Sequence, residues 1–291
     1  IYESDRYGFN NPDKEWDSKE IEYLLVGDSF AHGYCVNRPY DISSVLRKLS
    51  NKSALNLGYG NNGPLIEYAV LREYLNPNVK KVLWIYFEGN DLDDLSSEKK
   101  NKILINYLND LNFSQNLKIR QNEINNLEIE IETKYKLINL QLNNTKIISN
   151  KESIKVIQKE TKNFFKLQNL RERLHYYLIK RYFDYDQRLK NFEKILRLTK
   201  DFTIKNNSEL YFIYLPDFRR YNKIYYMSDY ISVQRIVKKL NIPFIDIHKE
   251  VFKKQKNPLD LFPISIKING IGHYNVDGYR KIAEAIYKIT K

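Results

Sequence analysis

The chain has 291 residues, of which 42% are hydrophobic and 14% aromatic, and its 48 Lys and Arg against 36 Asp and Glu give a net charge of +12. This apolar content is sufficient for a packed core and excludes a chain that is disordered throughout. The single cysteine, Cys35, excludes an intrachain disulfide and a zinc site built from several cysteines.

The excess of positive charge allows two interpretations. Lys residues scattered among Asn and Ile are typical of a solvated basic surface, whereas one continuous basic face would indicate an anionic polymer as partner. The Lys residues of this chain are spread along its whole length. We therefore favour the solvated surface and expect no nucleic-acid partner.

No transmembrane segment is evident in the sequence. The longest apolar runs, such as residues 82–87, are far short of the roughly 20 residues that cross a bilayer. The chain begins with Ile1 rather than Met, which predicts that a secretion signal or a membrane anchor preceded it. We expect a protein of the cell envelope, periplasm or exterior, with a cytoplasmic location as the alternative.

The first part of the sequence alternates between strands and helices. Residues 1–20 are polar and aromatic and predict an irregular arm that lies on the domain. Short apolar runs predict buried strands, and apolar residues spaced by three to four predict helices. The pattern gives strands at 22–28, 54–58 and 81–87, and helices at 42–49 and 65–75. This alternation is typical of a parallel sheet flanked by helices.

The alternation stops near Leu95 and resumes near residue 208. Residues 96–207 contain no Gly and no Pro, and their Ile and Leu recur at helical spacing, which predicts several helices. Strands at 209–215 and 243–247 and helices at 228–240 and 277–289 follow. We therefore predict an α/β fold with a five-stranded parallel sheet: one domain over 1–291, with core segments 21–95 and 208–290 and a helical insertion at 96–207.

Residues with the chemistry of ester hydrolysis follow the predicted strands. Ser29 follows the first strand in the tripeptide Gly-Asp-Ser, Asn90 follows the third in Gly-Asn-Asp, and His273 precedes the last helix. Because ligands of open parallel sheets bind at the carboxyl ends of the strands, we expect these side chains to meet there. A Ser can then act as a nucleophile with His as its base, while amide and backbone N–H groups stabilise the oxyanion.

The order of these motifs resembles that of the SGNH hydrolase superfamily, also called GDSL-like esterases. The resemblance covers residues 21–95 and 208–290 and leaves out the insertion. It implies a three-layer α/β/α fold of the flavodoxin-like type and the hydrolysis or transfer of an ester-bound acyl group. Carried over position by position, it implies Ser29 as nucleophile, His273 as base and Asn90 as the amide of the oxyanion hole.

Two positions depart from the family pattern. The position of the family's glycine after the second strand is taken by Asn61 in this chain. The backbone N–H of Asn61 can still donate to an oxyanion, and Gly60 serves instead if the turn is shifted by one residue. The Asp that stands three residues before the His in the family is replaced by Gly270. Asp260 is therefore our candidate for the acid that orients His273, with Asp246 or a backbone carbonyl as alternatives.

These observations predict a serine ester hydrolase for small acyl esters, chiefly O-acetyl esters of carbohydrates, with O-acyl transfer as a variant. Residues 7–10, ahead of the Gly-Asp-Ser, resemble the arm of relatives that acetylate or deacetylate envelope polysaccharides. The alternative is a catalytically weak or inactive SGNH-like protein that binds an envelope protein through its insertion. A Tyr and Arg cluster follows the fourth strand; we favour packing and a solvated face for it, with a sugar-binding rim as the functional alternative. The cluster comprises Arg219, Arg220, Tyr221, Tyr225, Tyr226 and Tyr230.

Four further residues near the motifs are given structural roles. Cys35 is predicted to be a small packing residue, and Asp28 and Asp91 are predicted to hold turns by hydrogen bonds to the backbone. Asp277 is predicted to cap the last helix. Residues 91–94 contain three Asp, but no His lies near them in the sequence, so we expect no metal and no cofactor.

Overall fold

The computed structural model describes residues 3–145, 168–222, 229–263 and 272–291. The chain divides into two compact units, Ile1–Gln115 with Arg188–Lys291, and Asn116–Gln187. The first unit holds the sheet and the candidate site, and the second is helical where it is described. The predicted single domain with an insertion at 96–207 stays a prediction beside this division.

The sheet has five parallel strands in the order β2-β1-β3-β4-β5. In this flavodoxin-like order the connections reverse direction between β1 and β3, which opens a crevice at their carboxyl ends. The predicted α/β fold with a five-stranded parallel sheet is confirmed. The strands are β1 (Ile21–Gly27), β2 (Ser53–Asn56), β3 (Val79–Phe87), β4 (Glu209–Leu215) and β5 (Phe244–Asp246).

Helices cover both faces of the sheet. On one face α2 packs against α10, and Leu46 and Ile282 join Leu25 of β1 in one buried cluster. On the other face α3 lies against β1, and Phe192 of α7 packs on Tyr86 with ring centroids 5.4 Å apart. None of the described helices is both long and apolar enough to cross a membrane. The helices are α1 (Ser29–His32), α2 (Ile42–Ser50), α3 (Pro64–Tyr74), α4 (Asp91–Glu98), α5 (Lys102–Asn109), α6 (Gln121–Thr145), α7 (Gln168–Lys205), α8 (Tyr230–Lys239), α9 (Ile247–Glu250) and α10 (Val276–Thr290).

The central strands are buried on both faces, which explains their nearly continuous apolar sequences. Every residue of β1 is buried. β3 begins at Val79, two residues before its predicted start at residue 81. Two Lys residues follow Val79 and interrupt the apolar run, so the sequence did not show that the strand already begins there. One of them, Lys81, is accommodated by an ion pair with Glu22 of β1, with Nζ and Oε1 2.5 Å apart.

The described part of the N-terminal arm packs on the sheet edge. Asn11 makes two hydrogen bonds to Asn56 at the end of β2: its Nδ2 donates to the carbonyl at 2.9 Å, and its Oδ1 accepts from the N–H at 2.8 Å. Trp16 is buried, and its Nε1 donates to Asp5 at 2.7 Å. Asn10 donates to the carbonyl of His32 at 2.8 Å, so the arm also holds the end of α1.

The second unit contains α6. Ion pairs between residues one turn apart support this helix, as between Lys134 and Glu130 at 2.6 Å. Leu127, Ile131 and Tyr135 are spaced by four residues and are all exposed. α6 therefore presents an apolar stripe along one side.

Candidate active site

Ser29 stands at the sharp connection between β1 and α1. Two glycines bring α1 close to the strand ends: a Cβ on Gly27 would lie 2.7 Å from the Cβ of Ala31, and one on Gly58 would lie 2.5 Å from it. Asp28 caps α1, with its Oδ1 accepting a backbone N–H at 2.8 Å. Ser29 is left partly exposed at the carboxyl edge of the sheet.

His273 lies two residues before the cap of α10. The next residue, Tyr274, is fully buried, and its hydroxyl donates to the carbonyl of Pro216 at 2.6 Å. Asn275 caps α10 through its side chain. The predicted cap, Asp277, is wrong: this residue lies in the first turn of the helix, where its carboxylate forms ion pairs along the helix. The backbone that carries His273 is thus fixed by its neighbours.

Ser29 and His273 are in hydrogen-bond contact although 244 residues separate them: Nε2 of His273 lies 2.7 Å from Oγ of Ser29. Both line a cavity of about 320 Å³, which is at the lower end of the range for small-ligand sites. Its walls include Phe30, Phe87 and Phe218, and the first two rings stack with centroids 3.9 Å apart. The cavity therefore offers aromatic walls beside a Ser–His pair.

The protonation of His273 suits a base. Burial, together with the nearby ring of His32, lowers the pKa of His273 to about 4. His32 is itself buried, with its Nδ1 3.2 Å from the carbonyl oxygen of Gly58. At neutral pH His273 is therefore uncharged, and one of its ring nitrogens has a lone pair that can accept a proton.

Asn90 reaches the same cavity from the end of β3, where it is the N-cap residue of α4. Its Nδ2 donates to Asp94 at 2.6 Å, which leaves the second amide hydrogen for another acceptor. The next residue, Asp91, accepts the backbone N–H of Phe87 at 2.9 Å and so fixes the turn between strand and helix. The structure therefore brings together three residues, two from strand ends and one from a loop: Ser29, Asn90 and His273.

Asn61 lies apart from this cavity. It is exposed, its backbone is in the left-handed region at φ 65°, and it does not line the cavity. A Cβ on Gly60 would lie 2.6 Å from the hydroxyl of Tyr34, so this turn is packed against Tyr34. The oxyanion role of Asn61, or of Gly60 in its place, stays a prediction.

The structure does not bring Asp260 to His273. The carboxylate of Asp260 accepts a hydrogen bond from Asn257 at 2.8 Å within the turn Pro258–Leu261, and within the described ranges His273 bonds only to Ser29 and one thiol. Asp246 is held by a tyrosine hydroxyl at 2.6 Å. Gly270 lies outside the described residues.

Sequence reasoning missed two residues beside the Ser–His pair: Cys35, as a partner of His273, and Asp217. Cys35, predicted as a packing residue, is exposed, and its Sγ lies 3.7 Å from Nδ1 of His273. Asp217 lines the cavity and accepts a hydrogen bond at 2.7 Å from Arg219, a predicted member of the rim. The position of Asp217 directly after β4 was the available signal, because all strand ends were expected to meet at one edge.

The described tyrosines of the predicted sugar-binding rim are packed. Tyr221 stacks on Phe252 with ring centroids 5.4 Å apart, and the hydroxyl of Tyr230 donates to Asp246 at 2.6 Å. Among the members that the structure describes, Arg219 alone lines the cavity. Two members lie outside the described residues: Tyr225 and Tyr226.

Several buried carboxyls raise one another's pKa. Glu67 is 1% exposed, and within the described ranges neither of its carboxylate oxygens has a hydrogen-bond partner. Burial, followed by repulsion from Asp91 and Asp28, raises the pKa of Glu67 well above 4.5, and burial raises the pKa of Asp28 to about 7. In the part of the chain that the structure describes, no three His, Cys, Asp or Glu are arranged to hold a metal ion. This group of carboxyls comprises the buried Asp28, Glu67, Asp91 and Glu98 and the half-buried Asp94.

The fold and the site define an α/β protein with a Ser–His pair at the carboxyl edge of a parallel sheet. No known family profile matches the chain, and no curated protein is significantly similar to it. Solved structures do match. One of them, from Desulfitobacterium hafniense DCB-2, is described as "a putative lipolytic protein of G-D-S-L family"; it shares 12% identity over 93% of this chain and 99% of its own, with a TM-score of 0.46. A likeness of this size carries no information on the activity of this chain.

Proposed function

We propose that the protein is a serine ester hydrolase. The proposal is carried by the 2.7 Å contact between Ser29 Oγ and His273 Nε2 in an open cavity that Asn90 also lines. A hydroxyl that is hydrogen-bonded to an uncharged imidazole is activated as a nucleophile. A neighbouring amide that donates to the developing oxyanion supplies the second requirement of acyl transfer.

The proposed reaction has two steps with His273 in both. Nε2 of His273 takes the proton of Ser29 as Oγ bonds to the ester carbonyl carbon, and the oxyanion accepts hydrogen bonds from Asn90 and the backbone N–H of Ser29. The intermediate collapses, and His273 returns the proton to the leaving alcohol. Water then loses a proton to His273 as its oxygen attacks the acyl carbon. The second intermediate collapses with cleavage of the bond to Oγ, His273 returns the proton to Ser29, and the acid is released.

The proposed substrate is an ester of a small acyl group with a carbohydrate hydroxyl. The phenylalanine walls of the cavity support an apolar acyl group. Tyr34 supports the carbohydrate: its ring is 40% exposed, and its centroid lies 5.4 Å from that of His273, so it offers a flat apolar face with a polar hydroxyl beside the reacting atoms. Arg219 at the cavity suits an anionic substituent.

A fluorophosphonate probe tests the activated serine. We expect the wild-type protein to be labelled on Ser29 and the Ser29→Ala variant to lose the label. Ser50→Ala is the matched control and should be labelled like the wild type, because Ser50 does not line the cavity. Absence of labelling in a folded wild-type chain, or labelling that persists in Ser29→Ala, would overturn the proposal. Turnover of acetylated sugars against longer-chain esters then tests the substrate class.

The pH profile of hydrolysis should follow His273. Because burial lowers its pKa to about 4, the imidazole stays uncharged, and kcat/KM should be constant, from neutral pH to about pH 5. Below about pH 4, protonation removes the base and the rate should fall roughly tenfold per pH unit. The measurement is kcat/KM against pH with an aryl acetate, with intrinsic fluorescence showing that the chain stays folded. If the acid limb of the profile, where kcat/KM falls, gave instead the ordinary histidine pKa of 6.5, this would contradict the described burial of His273.

Two variants of this function have their own support. If a sugar hydroxyl enters in place of water, the same residues carry out O-acyl transfer. A catalytically weak protein that binds an envelope partner is favoured by the exposed apolar stripe of α6 at Leu127, Ile131 and Tyr135. We place the protein in the cell envelope on the sequence resemblance of its arm. Labelling of Ser29 separates the catalytic variants from the binding one.

A further inference from the structure

The Nδ1 atom of His273 faces a thiol where the Ser–His–Asp arrangement has a carboxylate. Sγ of Cys35 lies 3.7 Å from Nδ1, within reach of a hydrogen bond to sulfur. In the described part of the chain this thiol and the hydroxyl of Ser29 are the two hydrogen-bond partners of the imidazole. The second ring nitrogen therefore meets sulfur rather than an acid.

The direction of these bonds follows from the chemistry of the base. To accept the proton of Ser29, Nε2 of His273 must present a lone pair, so the ring hydrogen must be on Nδ1. A hydrogen on Nδ1 needs an acceptor, and the sulfur of Cys35 is in place to accept it. If the thiol donated to Nδ1 instead, the hydrogen would be on Nε2, and the ring could not act as the base.

We propose that Cys35 is a positioning residue that holds His273 in the tautomer needed for proton abstraction from Ser29, in the place of an orienting acid. This inference rests on the proposed ester hydrolysis for its catalytic consequence. The tautomer itself is a property of the folded protein and can be measured without turnover.

The fold holds Cys35 at this point from two sides. The N–H of the preceding residue, Tyr34, donates to the carbonyl of Ser29 at 3.1 Å, and the hydroxyl of the buried Tyr279 of α10 donates to the carbonyl of Tyr34 at 3.1 Å. The thiol is thereby tied both to α1, which carries the nucleophile, and to the helix that follows His273. Its backbone is in the left-handed region at φ 71°, where Asn and Asp are tolerated better than most residues.

The titratable and charged groups around His273 define what a variant would change. His32 and Tyr34 pack near its ring, and Asp28, Asp217 and Arg219 line the same cavity. None of the carboxylates among them is hydrogen-bonded to His273. A carboxylate introduced at position 35 would therefore be the first acid in direct contact with the imidazole.

Three substitutions test the proposal. Cys35→Ala removes the acceptor and should lower kcat about fivefold, as expected for the loss of one ordinary hydrogen bond. Cys35→Asp supplies an anionic acceptor, so kcat should exceed that of Cys35→Ala and reach at least the wild-type value. Its acid limb should move to higher pH, because a neighbouring negative charge stabilises the imidazolium. Cys35→Asn is the matched uncharged control and should leave the limb in place.

The ¹⁵N NMR shifts of the His273 ring provide the readout that a merely structural role would not move. We expect the Nδ1–H tautomer in the wild type and in Cys35→Asp, and a larger Nε2–H fraction in Cys35→Ala. An Nε2–H tautomer in the wild type, or an unchanged tautomer in Cys35→Ala, would overturn the proposal. If the chain does not hydrolyse esters, the tautomer still decides the role of Cys35, and fluorophosphonate labelling separately decides the activity.

Discussion

Ser29→Ala, His273→Ala and the double variant should all hydrolyse esters at the same residual rate, at least roughly 10³-fold below the wild type. The reason is that the nucleophile and its base act as a unit. Once either is lost, the 2.7 Å hydrogen bond between them is lost as well, and no activated serine remains. The measurement is kcat for an aryl acetate, with enzyme concentrations high enough to follow the slow variants.

Two matched variants control for non-specific damage. Ser50→Ala and His248→Ala remove a serine and a partly buried histidine that do not line the cavity, and both should retain wild-type rates. Additive losses in the double variant would show that Ser29 and His273 act independently, which contradicts the proposed mechanism. Thermal unfolding of each variant establishes that the compared proteins are folded.

The second large effect concerns stability rather than activity. Replacing Glu67 by Gln should raise the free energy of unfolding at pH 8 and change it much less at pH 5. Buried Glu67 keeps its proton in the folded state, because burial and nearby acids raise its pKa well above 4.5, whereas the unfolded chain loses that proton near pH 4.5. The stability of the wild type therefore falls as pH rises from about 4.5 towards the raised pKa.

The size of this effect follows from the same linkage. Each pKa unit of difference between the folded and unfolded states is equivalent to about 1.4 kcal/mol, so the stability that Glu67→Gln gains at pH 8 relative to pH 5 measures how far the pKa of Glu67 is raised. Asp28 and Asp91 continue to contribute after the substitution, so the pH dependence should be reduced rather than abolished. The measurement is urea unfolding at several pH values between 5 and 8.

Glu22→Gln is the matched control with the opposite sign. Glu22 is also buried, which by itself raises its pKa, but its hydrogen bonds to Lys52 and Lys81 hold the pKa below the ordinary value. Its contribution is present above pH 4.5 and is lost in acid, so Glu22→Gln should lose stability at pH 8. If Glu67→Gln loses stability at pH 8 as well, Glu67 is ionised and paired in the folded protein, and our description of it is wrong.

The sheet and three of the site positions could be predicted because both depend on local patterns. The strands are apolar runs, and the carboxyl ends of parallel strands share one edge, so Ser29 and Asn90 had to meet. His273 was found by its place before the last amphipathic helix. Strand ends were less certain where Lys residues interrupt the apolar run, as at the beginning of β3.

The rest of the site depends on tertiary contacts that leave little trace in the sequence. The contact of Cys35 with His273 requires a left-handed backbone at Cys35. It also requires a hydrogen bond from Tyr279 to Tyr34, 245 residues apart in the sequence, which holds the loop. Asp260 was a candidate because Gly270 replaces the expected acid and another had to come from elsewhere in the chain, but its Oδ1 accepts a local hydrogen bond from Asn257 instead. Glu67 carries a polar side chain, which predicts exposure, yet the packing of α3 buries it.

The N-terminal arm covers an edge of the sheet, which bears on whether that edge can pair with a strand of another molecule. β2 is an edge strand of the sheet, and an uncovered edge offers unpaired backbone groups to the strand of another molecule. Asn11 forms hydrogen bonds to both backbone groups of Asn56, and the carboxylate of Glu15 accepts a hydrogen bond from the hydroxyl of Ser53 at 2.6 Å. The arm thereby covers the backbone groups of Asn56 and lies against Ser53, which leaves less of this edge open to the strand of another molecule.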